Sequence, residues 1–255
     1  MRTHGEAAHR QLCTLAADLF QLAGEVFFDG NRYTDAAHCY TLAASAAREA
    51  AAHDLWACAL TRHAFISLHE RKFAKAVPML SAASSLAQRG DQELSTRHWV
   101  AAVQAEVFAG LGDLDSCTRA LDHAGQVHAL SGRVHNSGWL RFDGSRLAEE
   151  RGTCYIALGR PDLAEKALTE ALSQTLSLRR QGSVLTDLAI LGVQRKDTDH
   201  LLSYAGQALE LVRQSGSGYV SRKPQGLLGH LEPFMNDRRV STLSSQIASL
   251  PAIPS

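Results

Sequence analysis

Proline, methionine and tryptophan are scarce in this chain of 255 residues, with six, three and three, and neither sign of charge predominates: 26 Lys and Arg stand against 26 Asp and Glu. So few prolines leave helices free to run without interruption. A formal charge of zero lacks the basic excess with which a nucleic-acid-binding surface neutralises phosphates, so direct contact with nucleic acid is not expected. No segment approaches about eighteen consecutive apolar residues, and the N-terminal MRTHGEAAHRQLC has no apolar core, so neither a membrane span nor a secretory signal is expected. The five cysteines, Cys13, Cys39, Cys58, Cys117 and Cys154, lie 19 to 59 residues apart with no C-x-x-C pair. An odd, scattered set fits reduced thiols packed among helices in a cytoplasmic protein better than a disulfide framework.

Catalytic signatures are missing as well. The chain contains no G-x-x-x-x-G-K-[ST], no G-x-S-x-G and no H-E-x-x-H, and strand patterns are almost absent. His63 and His69 are six residues apart and His123 and His128 five, not the four that bring two imidazoles onto one helical face. Glu149, Glu150 and Asp143 offer paired carboxylates, but no nucleophile or oxyanion device accompanies them. No catalytic residue, cofactor or metal is therefore expected.

What the chain has is 45% hydrophobic residues, 20% charged ones and an internal repeat. Five segments share one pattern: a helix, a short turn rich in Gly, Asn, Asp or Arg, then a helix with a small residue followed four positions later by a larger one. In FQLAGEVFFDGNRYTDAAHCYTLAA, Phe20, Ala23, Gly24 and Phe27 precede Ala36 and Tyr40. In LTRHAFISLHERKFAKAVPMLSAA the positions are Ala64, Phe73, Ala76 and Leu80, and in VQAEVFAGLGDLDSCTRALDHA they are Ala105, Phe108, Gly112, Cys117 and Leu121. LAEERGTCYIALGRPDLAEKALTEAL aligns Gly152, Tyr155, Gly159, Ala164, Leu168 and Ala171, and LTDLAILGVQRKDTDHLLSYAGQAL aligns Ala189, Leu201, Ala205 and Ala208. The second-helix positions 36, 76, 117, 164 and 201 are 40, 41, 47 and 37 residues apart. Small side chains let two antiparallel helices approach closely while Phe, Tyr or Leu fills the groove beside them, and successive pairs stack because one pair cannot bury its apolar face alone.

The expected fold is therefore all-α, a right-handed superhelical solenoid of about five helix pairs over 12–52, 54–90, 92–131, 136–178 and 180–214, in a single domain spanning 1–255. Residues 219–250 are expected to form helices that cap the stack or pair two copies. Gly30-Asn31, Gly112-Asp113, Gly159-Arg160-Pro161 and Gly216-Ser217-Gly218 punctuate the pairs, with Pro161 suited to a first helical turn.

These motifs resemble tetratricopeptide repeats. The order LAGEVFFDGNRYTDAAHCYTLA, RHAFISLHERKFAKAVPML, GTCYIALGRPDLAEKALTEAL and LGVQRKDTDHLLSYAGQALELVRQSGSG is similar to the sensor half of actinobacterial helix-turn-helix transcription regulators. The similarity covers about residues 12 to 250, and nothing before Gln11 could form a three-helix DNA-binding unit. The resemblance implies that the first helix of each pair lines a concave groove. Taking Gly24, Ala64, Ala105, Gly152 and Ala189 as the close-packed references, helical periodicity turns inward Asp18, Gln21 and Glu25; Thr61, Arg62, Phe65 and His69; Trp99, Val103 and Glu106; Arg146, Glu149 and Thr153; and Ser183, Thr186 and Asp187.

The stretch VHNSGWLRFDGSR, residues 134–146, concentrates an aromatic and an arginine in the longest repeat interval. Counting back from Arg146 gives Phe142 or Asp143 and then Trp139, which is read as an extension of the inner helix of the fourth pair. The expected groove comprises Arg62, Phe65, His69, Trp99, Glu106, Trp139, Phe142, Asp143, Arg146 and Glu149, with aromatic anchors beside a guanidinium that pairs with a carboxylate. The alternative places Trp139 and Phe142 over a loop and Trp99 in the core. The function expected is a non-catalytic sensor or interaction protein that takes a peptide, small signal molecule or partner protein in the groove and acts in bacterial transcription regulation. A constitutive scaffold is the alternative, and a pathway enzyme using groove carboxylates ranks below both.

Overall fold

A computed structural model describes residues 2–131, 142–215 and 223–250, all in helices and the turns between them, with no strand among the described residues. The chain divides into two compact units, Met1–Leu147 and Ala148–Ser255.

The first unit holds three consecutive helix pairs. They are α1 (Arg2–Asp29) with α2 (Tyr33–Glu49), α3 (His53–His69) with α4 (Phe73–Ala87), and α5 (Thr96–Gly110) with α6 (Leu114–Gly125), followed by a 3-10 turn at Gln126–Ala129. Alanine-rich stretches favour these helices. Gly24, expected at a contact, is where two axes come together: a Cβ added there would lie 2.4 to 2.9 Å from atoms of the Tyr40 ring; Gly110, which the repeat pattern did not single out, makes a second close approach, a Cβ there meeting the Phe73 ring at about 2.5 Å. Ala36, Ala76 and Cys117 are fully buried, as are Tyr40, Leu80 and Leu121 one turn later.

The second unit repeats the pairing. Its helices α7 (Leu147–Ala157) and α8 (Pro161–Leu172) meet where a Cβ on Gly152 would fall 2.4 Å from the Leu168 side chain. Pro161 opens α8 at its first turn, as expected. Helices α9 (Leu178–Arg195) and α10 (Thr198–Ser215) follow, and Gly192 is needed because its Cβ would strike the backbone of Leu201. A short helix α11 (Leu228–Leu231), a 3-10 turn (Glu232–Phe234) and α12 (Arg238–Ala248) then cover α9 and α10. Leu227, Leu231, Val240, Leu243 and Ile247 join Ala189, Leu201, Ala205 and Leu209 in one core, while Arg238, Arg239, Thr242, Ser245 and Gln246 face outward. Residues 223–250 thus form the cap anticipated for that segment. Gly216-Ser217-Gly218 lies outside the described residues.

Six helix ends finish in the same way. Asn31, Ala51, Arg71, Gly112, Gly159 and Lys196 hold positive φ of 54 to 78°. In each case the following amide donates to the carbonyl five residues back, as in Arg32 to Phe27 at 2.8 Å and Asp197 to Gly192 at 2.8 Å. This Schellman arrangement satisfies carbonyls that the helix leaves open. Only two of the six positions are glycine, so the other four accept the left-handed region at a cost.

One expectation about the chain path is corrected. Phe142, Asp143 and Arg146 do not extend the inner helix of the fourth pair, because α7 begins at Leu147 and residues 142–146 form a turn. Gly144 holds φ of 79°, the Asp143 carboxylate accepts from the Ser145 amide at 2.9 Å, and a Cβ on Gly144 would meet Val127 and His128 at 2.6 Å. The Asp-Gly dipeptide is a turn signal that outweighs helical spacing here.

Candidate binding site

The first helices of the pairs in the first unit are neighbours: α3 packs against both α1 and α5. Their facing positions gather polar residues in an otherwise apolar layer, and Arg62 stands at the centre, only 3% exposed. Its Nη1 donates to Gln21 Oε1 at 2.9 Å, and its Nε lies 3.1 Å from Glu25 Oε1. Glu25 Oε1 also accepts from the Tyr40 hydroxyl at 2.8 Å, and the Gln21 amide donates to the Leu55 carbonyl at 3.4 Å. The guanidinium lies over the Trp99 ring, 5.0 Å from its centroid, and the Phe65 ring is 6.2 Å from that of Trp99.

The electrostatics follow from burial. Desolvation lowers the pKa of Arg62, opposed by Cys58, Glu25 and Tyr40, and it pushes the Cys58 thiol up to about 12 even with Arg62 alongside. A thiol so protonated is no nucleophile. Burial also raises the Asp18 carboxyl above its usual range, against the attraction of Arg62, and the Tyr40 hydroxyl is held far above its ordinary value by burial and then by Glu25. The cluster is arranged to hold and orient a polar or aromatic group.

The residues expected in the groove separate into several places. Arg62, Phe65 and Trp99 come together. Phe142 is 6% exposed and packs with Cys58, Ala101, Ala102, Ala124, Val127 and Leu147, with Trp99 against the same cluster. It therefore lies in the core beside Trp99, where neither reading of the sequence had put it. Glu106 is half-buried on α5, while Asp143 and Arg146 are exposed on the turn before α7. Trp139 lies outside the described residues. His69 belongs to a different group at the far ends of the helices: its Nε2 is 2.7 Å from the Tyr33 hydroxyl, and Phe28 stacks edge-on to both rings.

In the second unit Glu149 is 7% exposed and is clasped by Arg180, whose Nε donates to Glu149 Oε1 at 2.7 Å. Asp187, 4% exposed, accepts from Thr153 at 3.1 Å and from Lys223 Nζ at 2.6 Å, and Lys223 also donates to Ser183 at 2.8 Å. Thr153, Ser183 and Asp187 were on the inward face by periodicity. Lys223 was missed, because a partner 36 residues away leaves no local signal.

Three further observations bound the chemistry. Among the described residues no group of three or more His, Cys, Asp or Glu is placed to hold a metal ion, and no helix is long and apolar enough to cross a membrane. His98, buried on α5, contacts the His123 carbonyl through Nδ1 at 2.9 Å, and burial lowers its pKa.

No family model and no curated protein matches this chain. Among solved structures, the TPR2AB domain of yeast Sti1 in complex with pHSP90 aligns over 91% of this chain and 98% of its own, with 13% identity and a TM-score of 0.36. The helix pairing described above rests on this chain's own contacts and not on that likeness.

Proposed function

We propose that the chain is a non-catalytic interaction module that binds a peptide or a small signal along the face shared by α1, α3 and α5, and that this binding serves transcription regulation. One observation carries the reading: a buried guanidinium, fixed by Glu25 and Gln21, stacks on a half-buried tryptophan flanked by Phe65. An indole held in place by a neighbouring cation buries ligand area without first having to be ordered, which is the property of an interaction hot spot. Arg62 positions Trp99, and Glu25 and Asp18 favour a ligand with a donor or a cation beside its apolar group. A switch additionally requires the ligand to prefer one arrangement of the helices over another.

The test is native mass spectrometry of the full chain taken from its producing cell, alongside Trp99→Leu. A peptide or small-molecule adduct on the parent protein that is lost in Trp99→Leu is expected. An adduct that survives the substitution refutes the site. A constitutive scaffold is distinguished by solution scattering, where an unchanged profile at ligand saturation excludes the switch.

A further inference from the structure

Asp187 of α9 is the most deeply buried carboxylate described in the second unit, its side chain 5% exposed against 9% for Glu149. The paired helices themselves neutralise Glu149, through Arg180 of α9. Asp187 is neutralised from elsewhere. Its only ion pair among the described residues is with Lys223, which opens the helical turn 223–226 of the cap, 36 residues further along the chain.

The oxygens around that ammonium make a small cradle. Lys223 Nζ donates to Asp187 Oδ2 at 2.6 Å and to Ser183 Oγ at 2.8 Å, and Thr153 Oγ1 of α7 donates to the same carboxylate oxygen at 3.1 Å. Ser183 and Asp187 stand four residues apart, so one face of α9 supplies both acceptors while α7 braces the carboxylate. The occupant is less buried than the cradle, with the Lys223 side chain 38% exposed. Its backbone is held independently of the ion pair, because the neighbouring Pro224 and Leu227 are buried. Lifting the ammonium out therefore takes only rotation of a flexible stem that already reaches water, and the core of the cap stays closed. The carboxylate cannot follow it into solvent and needs another cation in its place.

We propose that Ser183, Asp187 and Thr153 form a receptor for a primary ammonium group, with Lys223 as its resident occupant and the lysine side chain of a partner peptide as the ligand that displaces it. All four residues belong to the second unit, and none belongs to the Arg62 face. Lys223 acts as a tethered competitor, at an effective concentration on the order of millimolar. A simple amine does not outcompete it; a peptide that adds contacts along α7 and α9 does.

Chemical rescue of Lys223→Ala tests the receptor. The substitution removes a propylammonium group and leaves Asp187 without its cation, so thermal unfolding of the full chain is expected about 5 °C lower. n-Propylammonium chloride is expected to recover most of that loss, and tetramethylammonium chloride at the same concentration, which has no N–H to donate, is not. Lys223→Ala combined with Asp187→Asn is expected to fold and to respond to neither salt. If Lys223→Ala alone does not fold, the same two salts are compared for its refolding by circular dichroism. Equal effects of the two salts, or a rescue that persists in the double variant, overturn the receptor. The partner is tested by calorimetric titration with a capped Gly-Lys-Gly peptide. It is expected to bind Lys223→Ala about tenfold or more tightly than the parent chain, and its Nε-acetyl form is expected to bind neither. Equal affinity for the two chains refutes Lys223 as the displaced occupant, and rescue by propylammonium without peptide binding refutes the peptide as the displacing ligand.

Discussion

Removing the charge of Glu25 should destabilise the first unit more than removing the charge of Arg62, although the two face each other. The Arg62 side chain is 4% exposed and that of Glu25 is 32%. In Glu25→Gln the guanidinium keeps Gln21 and the Trp99 face but loses its nearest anion. Breaking a fully buried pair costs roughly 3 to 5 kcal/mol, and the partial exposure of Glu25 reduces this to about 2 kcal/mol. In Arg62→Met the carboxylate left behind still reaches water and still accepts from Tyr40, while a thioether of similar length fills the space. That variant should change stability by no more than about 1 kcal/mol. Urea unfolding followed by far-ultraviolet circular dichroism measures both, with the slope of the transition checked for constancy. The double variant should restore most of what Glu25→Gln loses, since the buried cation that lost its nearest anion is gone. If Arg62→Met proves the more damaging single change, the arginine is a packing strut and its buried charge is not what Glu25 neutralises.

The remaining predictions address the turns, the thiols and the histidines. Gly112→Ala should cost about 1 kcal/mol through its positive φ alone, since nothing lies within 4 Å of the added Cβ. Ala51→Gly, at an exposed position with the same backbone, should gain about 0.5 kcal/mol, and thermal unfolding of the two variants should move in opposite directions. A thiol reagent at neutral pH should modify Cys13 rapidly and leave Cys58, Cys117 and Cys154 protected until unfolding; fast labelling of Cys58 would contradict its burial. The lowered pKa of His98 means that the unfolded chain takes up a proton more readily than the folded one, so its contribution is present above about pH 6.5 and lost as the pH falls below it. His63 and His123 shift in the same direction. His98→Gln should therefore flatten the acid limb of the stability profile, and an unaltered limb would exclude this role.

The helix pairs were legible because steric fit leaves a mark at fixed spacing: Gly24 sits under Tyr40 and Gly152 under Leu168, and no larger residue would allow those approaches. The turns were legible only where glycine or asparagine marks them. Ala51, Arg71 and Lys196 adopt the same backbone without any such mark, because the hydrogen bonds of the helix end outweigh the intrinsic preference of the residue. Periodicity also put Gln21, Arg62, Glu149, Thr153 and Asp187 on the faces expected to turn inward, but it did not reveal that Gln21 would engage Arg62, Thr153 Asp187, and Glu149 Arg180. That pairing depends on contacts 31 to 41 residues apart in the chain. Phe142 was misread because helical counting ran through an Asp-Gly turn. The apolar row Leu12, Leu15, Leu19, Leu22 and Val26 on α1 was in plain view, yet a leucine turned to solvent and one turned to a core are spelled alike.

The six recurring helix ends make the junctions modular. Each closes through main-chain atoms, so a tip can be exchanged for any other, or lengthened into a graft, without redesigning the helices it joins. Such a chain can diversify at its bends while its buried layers are held constant, and the bends at Asn31, Arg71 and Gly112 are natural places to insert a reporter peptide.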